Sequence, residues 1–342
     1  MLAVAPSPAL PSTWSPMSFA PTAPVATRPY RGFDVEVART RRLSPSFLRL
    51  TFTGPDLDRF APTGLDQRIK LVLPRGCGAA PLAVTDDWYD TWRALPEDVR
   101  PDLRTYTVRA VRPEAREVDV DVVLHGLSPV TTRGCGLARI LGCACEQDGA
   151  GPAVRWCAAA RAGDPILLIG PDAAWSGETS GVEWRPPAGT HTYLLAGDET
   201  AVPAICGILE ALPADARGVA LCEVPTAADE LPVTAPPGVE VRWLARDGAP
   251  HGARLDAALR AVAGPLLGPT GPGDEPAEVD VDHQILWDVP AAAEAPTGGY
   301  AWIAGEAGVV RDLRRHLVRD LGLDRRAVAF MGYWRRGRAE AA

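Results

Sequence analysis

The stretch RTYTVR, residues 104–109, sets a guanidinium, a phenol and a hydroxyl along one strand-like segment. Side chains alternate faces on a strand, so Arg104, Tyr106 and Val108 project one way and Thr105, Thr107 and Arg109 the other, unless a bulge intervenes. A guanidinium fork for a phosphate, a planar ring and a short hydroxyl suit a flavin nucleotide. An ordinary barrel strand with an exposed arginine carries the same letters, so the pattern alone leaves both readings open. A second candidate is YLLAGDETAVPAI, residues 193–205. Here a strand, a tight turn and a helix from about Val202 aim helix N–H groups at an anion over the strand end. Of the usual glycine pattern Gly197 alone is present, and Asp198 or Thr200 serving as a plain helix cap is the competing reading. AWIAGEAGVVRDLRRHL, residues 301–317, repeats the arrangement with Gly305 and Glu306. Two such turns on one edge of a parallel sheet favour a ligand crevice there.

The elements that must position these residues change character once. Residues 31–173 hold short strands separated by Gly and Pro, among them FDVEVARTRRL, FLRLTFTG, RIKLVLP, EVDVDVVLH and PILLIGP. That spacing, with period-two alternation, predicts a small antiparallel barrel. Residues 174–190 read as a linker. From 191 to 342 strands alternate with helices, which predicts a parallel sheet flanked by helices. The fold class expected is therefore an antiparallel β-barrel followed by a Rossmann-like α/β domain. Residues 1–30, rich in Ala and Pro, read as a disordered tail, and residues 264–282, rich in Gly, Pro and acid, as a mobile loop.

Composition narrows the partners. The chain has 342 residues and a net charge of −8. A nucleic-acid or anionic-membrane surface needs a basic stripe, so a small molecule or a protein is the better partner. No apolar run approaches the roughly 20 residues of a membrane helix, which argues against membrane insertion. Seven cysteines, an odd number in a chain too large to need disulfide staples, favour a reducing compartment, and the N-terminus lacks the basic start of a secretory signal, so the cytoplasm is expected. Cys135, Cys143, Cys145 and Cys157 are spaced C-x7-C-x-C-x11-C, without the C-x-x-C knuckle of zinc or iron–sulfur sites, so no metal is expected. His191, His251, His283 and His316 read as surface or capping residues, and Cys206 as core.

Taken in order, RTYTVR, VDVVLHG, GPAVRW, AGDPILLIGP, YLLAGDETAVPAI, WIAGE with its Arg-rich helix, and GYWRRG closely resemble the siderophore-interacting protein family, FAD-binding ferric-siderophore reductases of the ferredoxin-reductase-like superfamily. The resemblance runs from about residue 33 to 337, outside 127–150. It implies an FAD-binding barrel joined to an NAD(P)H-binding α/β domain. Arg104 is then expected on the flavin pyrophosphate, Tyr106 on the isoalloxazine ring and Thr107 near its reactive nitrogen. His125, Gly126, Gly151, Pro152 and Ala153 complete the cradle. Gly197, Asp198, Glu199, Thr200, Gly305 and Glu306 face the nicotinamide nucleotide. Tyr333, Trp334 and Arg335 are the aromatic and cationic candidates for the substrate, although a packed tail with solvated arginines fits them equally.

The sequence departs from the family pattern at two points. Residues 127–150 are inserted between HG and GPA, and Val154 stands where a hydroxyl is expected. The lost phosphate hydrogen bond is worth about 1–2 kcal/mol, which implies weaker FAD binding or an insertion that covers it. Three functions follow: an NAD(P)H-dependent flavoprotein reductase of ferric siderophores; a flavoprotein of the same fold acting on another acceptor, such as a biosynthetic intermediate, oxygen or a partner enzyme; and a siderophore- or flavin-binding protein without turnover. Arg311, Arg314 and Arg315 are candidates for the 2′-phosphate of NADPH, although solvated arginines on an exposed helix fit them equally and the choice between NADH and NADPH stays open.

Overall fold

A computed structural model describes residues 28–73, 87–126, 150–178, 180–268, 279–281, 284–290 and 298–337. The first half closes into a six-stranded antiparallel barrel. Its strands are β1 (Tyr30–Arg42), β2 (Phe47–Thr53), β3 (Arg68–Leu73), β4 (Asp102–Arg112), β5 (Glu117–Val123) and β6 (Pro165–Pro171), in the order β1-β2-β5-β4-β3-β6. The alternation of FDVEVAR is an inside–outside alternation: Phe33, Val35 and Val37 are buried, while Asp34 and Glu36 are exposed. Helix α1 (Trp88–Ala94) covers the outer wall through Trp92, against Val72 and Leu103. Helix α2 (Pro152–Ala159) packs Ala153, Trp156 and Cys157 onto the barrel interior.

The second half is a six-stranded sheet built from β7 (Thr192–Gly197), β8 (Arg217–Val224), β9 (Gly238–Ala245), β10 (Trp287–Asp288), β11 (Gly299–Glu306) and β12 (Val328–Trp334). The order is β10-β12-β11-β7-β8-β9, parallel except for the short edge strand β10. Helix α3 (Val202–Ala211) lies on one face; α4 (Ala253–Leu267) and α5 (Ala307–Arg315) lie on the other. Cover on both faces explains why β7 and β11 are apolar almost throughout. Among the described residues no helix is long and apolar enough to cross a membrane.

Two sequence expectations change. Helix α4 runs through residues 264–267, because Leu255, Leu259, Ala263 and Leu267 continue one buried stripe past Gly264 and Pro265. The loop expected at 264–282 thus starts at Gly268, and residues 269–278 and 282 lie outside the described residues. The expected linker is packed rather than free: Val182 and Trp184 are buried, with Trp184 against Tyr193 and Tyr300.

The two halves are joined by burial and by three polar clasps. Phe47 and Val123 of the barrel belong to the same apolar cluster as α3 and Trp302. Asp66, just before β3, accepts the N–H groups of Glu183 and Trp184 and the indole N–H of Trp302, at 3.1–3.2 Å. A bulge in β4 between Val108 and Ala110 frees Arg109 from the ladder, and its guanidinium reaches Glu210 on α3. Asp229, fully buried, accepts from the Ser44 hydroxyl at 2.7 Å, the Ser46 N–H at 2.7 Å and hydroxyl at 3.1 Å, and the Thr226 hydroxyl at 2.9 Å. D229A strands these donors away from water. It should cost on the order of 3 kcal/mol in chemical denaturation, against less than about 1 kcal/mol for D256A, which breaks only the exposed helical pair with Arg260.

Candidate functional site

The first group of candidate residues is held by β4 and α2. In the β3–β4 ladder Leu71 pairs with Arg104, Ile69 with Tyr106 and Arg68 with Thr107. Paired residues share a face, and Ile69 and Leu71 point into the barrel core, so Arg104 and Tyr106 lie on that face and buried Thr107 on the other. Tyr106 packs on the core and shares a hydrogen bond with the Cys157 thiol of α2. Burial pushes that thiol up to about 12, so it is a neutral partner and not a nucleophile. Among the described residues, the Arg104 guanidinium hydrogen-bonds the Leu103 carbonyl at 2.9 Å and stands 3.9 Å from Asp102. Gly151 precedes α2 and Pro152 opens it, and among the described residues no side chain caps that start. An uncapped helix start, a guanidinium with donors to spare and a phenol on one barrel wall match the chemistry of a diphosphate joined to a planar ring. These residues fit FAD. Val154 is buried in the first turn and supplies no hydroxyl.

The second group lies at the C-terminal edge of the sheet, where β7, β11 and β12 end. Asp198, 1% exposed, accepts the N–H and hydroxyl of Thr200 on Oδ1 at 2.9 and 2.5 Å. Its Oδ2 accepts the Glu306 N–H and the Trp334 indole N–H, both at 2.8 Å. The Glu306 carboxylate in turn caps α5 at the Val309 N–H, at 3.0 Å. In the two turns that resembled phosphate sockets, the N–H groups of Thr200, Glu306 and Val309 are engaged by the protein's own carboxylates; Glu306 caps α5, whereas among the described residues no side chain caps the start of α3. Glu199 pairs with Arg246 at 2.6 and 2.7 Å, and Arg246 also meets Glu223 at 3.3 Å.

His251, read from sequence as surface or cap, has a side chain only 7% exposed, with Nε2 3.5 Å from Asp198 and 3.7 Å from Glu199. Its neighbours Gly248, Pro250 and Gly252 carry no periodic pattern that could have signalled burial. Arg246 and Glu223 were missed for the same reason. Their roles come from three strand ends meeting in space.

Trp334 stands between the two groups. Its ring lies 6.2 Å from that of His125, at 23°, and 5.2 Å from that of His251, perpendicular to it. His125 and Gly126, at the end of β5, are exposed. The structure therefore brings His125, Trp334, Asp198, Thr200, Gly305 and Glu306 to one edge. Tyr333 does not join them: its hydroxyl is buried and its ring lies between Trp287 and Trp302. Nor does Arg335, which bonds the Gln284 carbonyl. The α5 arginines are engaged as well. Arg314 is buried on Asp288 at 2.8 Å, and Arg311 and Arg315 pair with Asp312.

Residues 36–175 match the siderophore-interacting FAD-binding domain and residues 190–337 the siderophore-interacting protein model. The chain belongs to the siderophore-interacting protein family. An uncharacterized protein of Mycobacterium bovis is 37% identical over 92% of this chain and 94% of its own. Ferric vibriobactin reductase ViuB of Vibrio cholerae is 29% identical over 90% of this chain and 91% of its own. The siderophore-interacting protein SipS of Aeromonas hydrophila superposes with a TM-score of 0.61 at 28% identity, over 92% of this chain and 95% of its own. FAD binding is thus a family property of the barrel. Of the insertion expected at 127–150, residues 127–149 lie outside the described residues, and so do Cys77, Cys135, Cys143, Cys145 and His283.

The charges at the sheet edge have a definite balance. Burial acts to raise Glu199, but Arg246 and His251 outweigh it and hold the carboxyl at about 2. Burial and the neighbouring Glu199 push Asp198 up. Burial acts to lower His251, and the two carboxylates outweigh it and raise it. A carboxyl held below its ordinary 4.5 contributes stability above that value and loses it as pH falls toward 2. E199Q should therefore lose about 3 kcal/mol at neutral pH, and its melting temperature should fall less steeply than that of the parent between those pH values.

Proposed function

We propose that this protein is an FAD-dependent NAD(P)H oxidoreductase that reduces ferric siderophores and so releases ferrous iron. The observation that carries the reading is the barrel wall where Arg104, Tyr106 and the uncapped start of α2 come together, in a chain of the siderophore-interacting family. Arg104 would hold the flavin diphosphate with the first-turn N–H groups of α2, and Tyr106 would support the ring system. FAD, when bound, takes a hydride from a nicotinamide and passes electrons one at a time to a ferric centre. Reduction softens and lowers the charge of the iron, and oxygen chelators then hold it less well.

The edge formed by Asp198, Glu306 and Trp334 would orient the nicotinamide end of the donor. Its phosphates are expected outside the two turns, whose N–H groups are engaged by carboxylates. Trp334, between the barrel's His125 and the sheet, offers an aromatic face to whatever approaches the flavin. Arg335 and Tyr333 are expected to build this wall and not to touch the substrate.

The purified, FAD-loaded protein should show a flavin band that NADH or NADPH bleaches without oxygen. Adding a ferric siderophore should restore it and colour a ferrous-specific dye. R104A should hold FAD at least tenfold more weakly, the value of about one charge-assisted hydrogen bond. A flavin that no nucleotide bleaches would turn the reading toward a binding protein. Bleaching without dye colour would turn it toward another acceptor. R104A binding FAD as tightly as the parent would remove Arg104 from the site.

A further inference from the structure

Three carboxylates, Asp198, Glu199 and Glu223, are buried together at the end of the sheet, at 1%, 6% and 0% exposure. The basic groups paired with them are Arg246, from the residue after β9, and His251, just before α4. Glu223 is also held by the N–H groups of Gly252 and Leu255, at 2.7 and 2.9 Å, and Arg246 is committed to Glu199 and Glu223. That leaves Asp198 facing His251. Glu306 contributes its N–H to Asp198 and turns its own carboxylate to α5.

His251 is an uneconomical choice for a purely packing role. Neither ring nitrogen has a hydrogen-bond partner, although both are out of contact with water. At 3.5 and 3.7 Å the Nε2 contacts are charge–charge distances, longer than a normal hydrogen bond. A leucine or phenylalanine would fill the space beside Trp334 without leaving buried polar atoms unpaired. What the imidazole adds is a positive charge against two carboxylates that water does not reach.

The proton inventory of Asp198 shows why that charge matters. Oδ2 already receives two N–H groups, and Oδ1 receives an N–H and a hydroxyl. A proton placed on Asp198 must therefore displace or reverse one of these four donors. If the cluster holds one proton, the ring of His251 is the place where it leaves all four intact.

We propose that His251 is the positioning residue of this edge: it carries the cluster's proton, keeps Asp198 ionised and, through Asp198, fixes the Trp334 indole beside the barrel's His125. The raised His251 agrees, since the carboxylates outweigh burial there; burial and Glu199 push Asp198 up, and His251 is among the groups that oppose that push. Removing the imidazole moves the proton to Asp198. The use to which Trp334 is put rests on the reductase reading, but the proton's location does not.

The test is made on the full chain without flavin, so its failure is separable from failure of that reading. Infrared spectra at neutral pH report the C=O stretch of a protonated carboxyl, and the Trp334 indole N–H resonance, assigned with W334F, reports the hydrogen bond to Asp198. The parent should show no such stretch that D198N removes. H251L should gain one that H251L/D198N lacks, and its Trp334 resonance should move upfield as the acceptor loses its charge. H251Q, polar but uncharged, should behave as H251L does and serves in its place if H251L does not fold. A protonated-carboxyl stretch already present in the parent and lost in D198N would overturn the proposal. So would an unmoved Trp334 resonance with no new stretch in the His251 variants.

Discussion

A carboxylate cut off from water has to be surrounded by donors, and Asp198 draws them from its own turn, from the start of α5 and from the end of β12. That requirement fixes how three chain segments meet. It also explains Gly305, whose φ of +146° suits glycine and whose Cβ, were there one, would stand 2.7 Å from Asp198 Oδ2. Gly197 is constrained similarly, since a Cβ there would lie 2.4 Å from that of Ala201 and 2.6 Å from the Ala304 carbonyl. The glycines of the two turns thus make room for the protein's own carboxylate and strand packing, where a dinucleotide fingerprint would use them to admit a phosphate.

The same economy of buried acids joins the two halves. Asp66 collects donors from the connecting segment and from β11, Asp229 collects them from the β1–β2 turn, and both sit where barrel and sheet touch. Apolar burial continues across the junction through Phe47 and Val123. The relation between the β4–α2 wall and the sheet edge is therefore set by paired, water-excluded contacts.

The architecture was largely legible because it rests on local patterns: alternation in the barrel strands, unbroken apolar runs in β7 and β11, and helices between them. Arg104 and Tyr106 were legible as a pair because strand geometry puts them on one face. The sheet-edge network was not. Asp198 read equally as a phosphate-turn residue or a cap, and its bonds to the Glu306 and Trp334 donors, more than a hundred positions away, had no signal in the sequence. His251 carried no local signal at all. Tyr333 and Trp334 are adjacent in sequence, yet strand alternation turns one into the core and the other to the site, and the direction of that alternation depends on the β11–β12 register, with its shift at Gly305 and Glu306.

As a ferric-siderophore reductase, the protein would split two-electron input from a nicotinamide into single electrons for iron. Electron counting tests it most directly. In an anaerobic vessel containing the FAD-loaded protein, NAD(P)H and excess ferric siderophore, about two ferrous ions should appear for each nucleotide oxidised, since a hydride carries two electrons and each ferric ion takes one. Nucleotide consumed without ferrous iron, or consumed only when oxygen is admitted, would show that iron is not the electron acceptor.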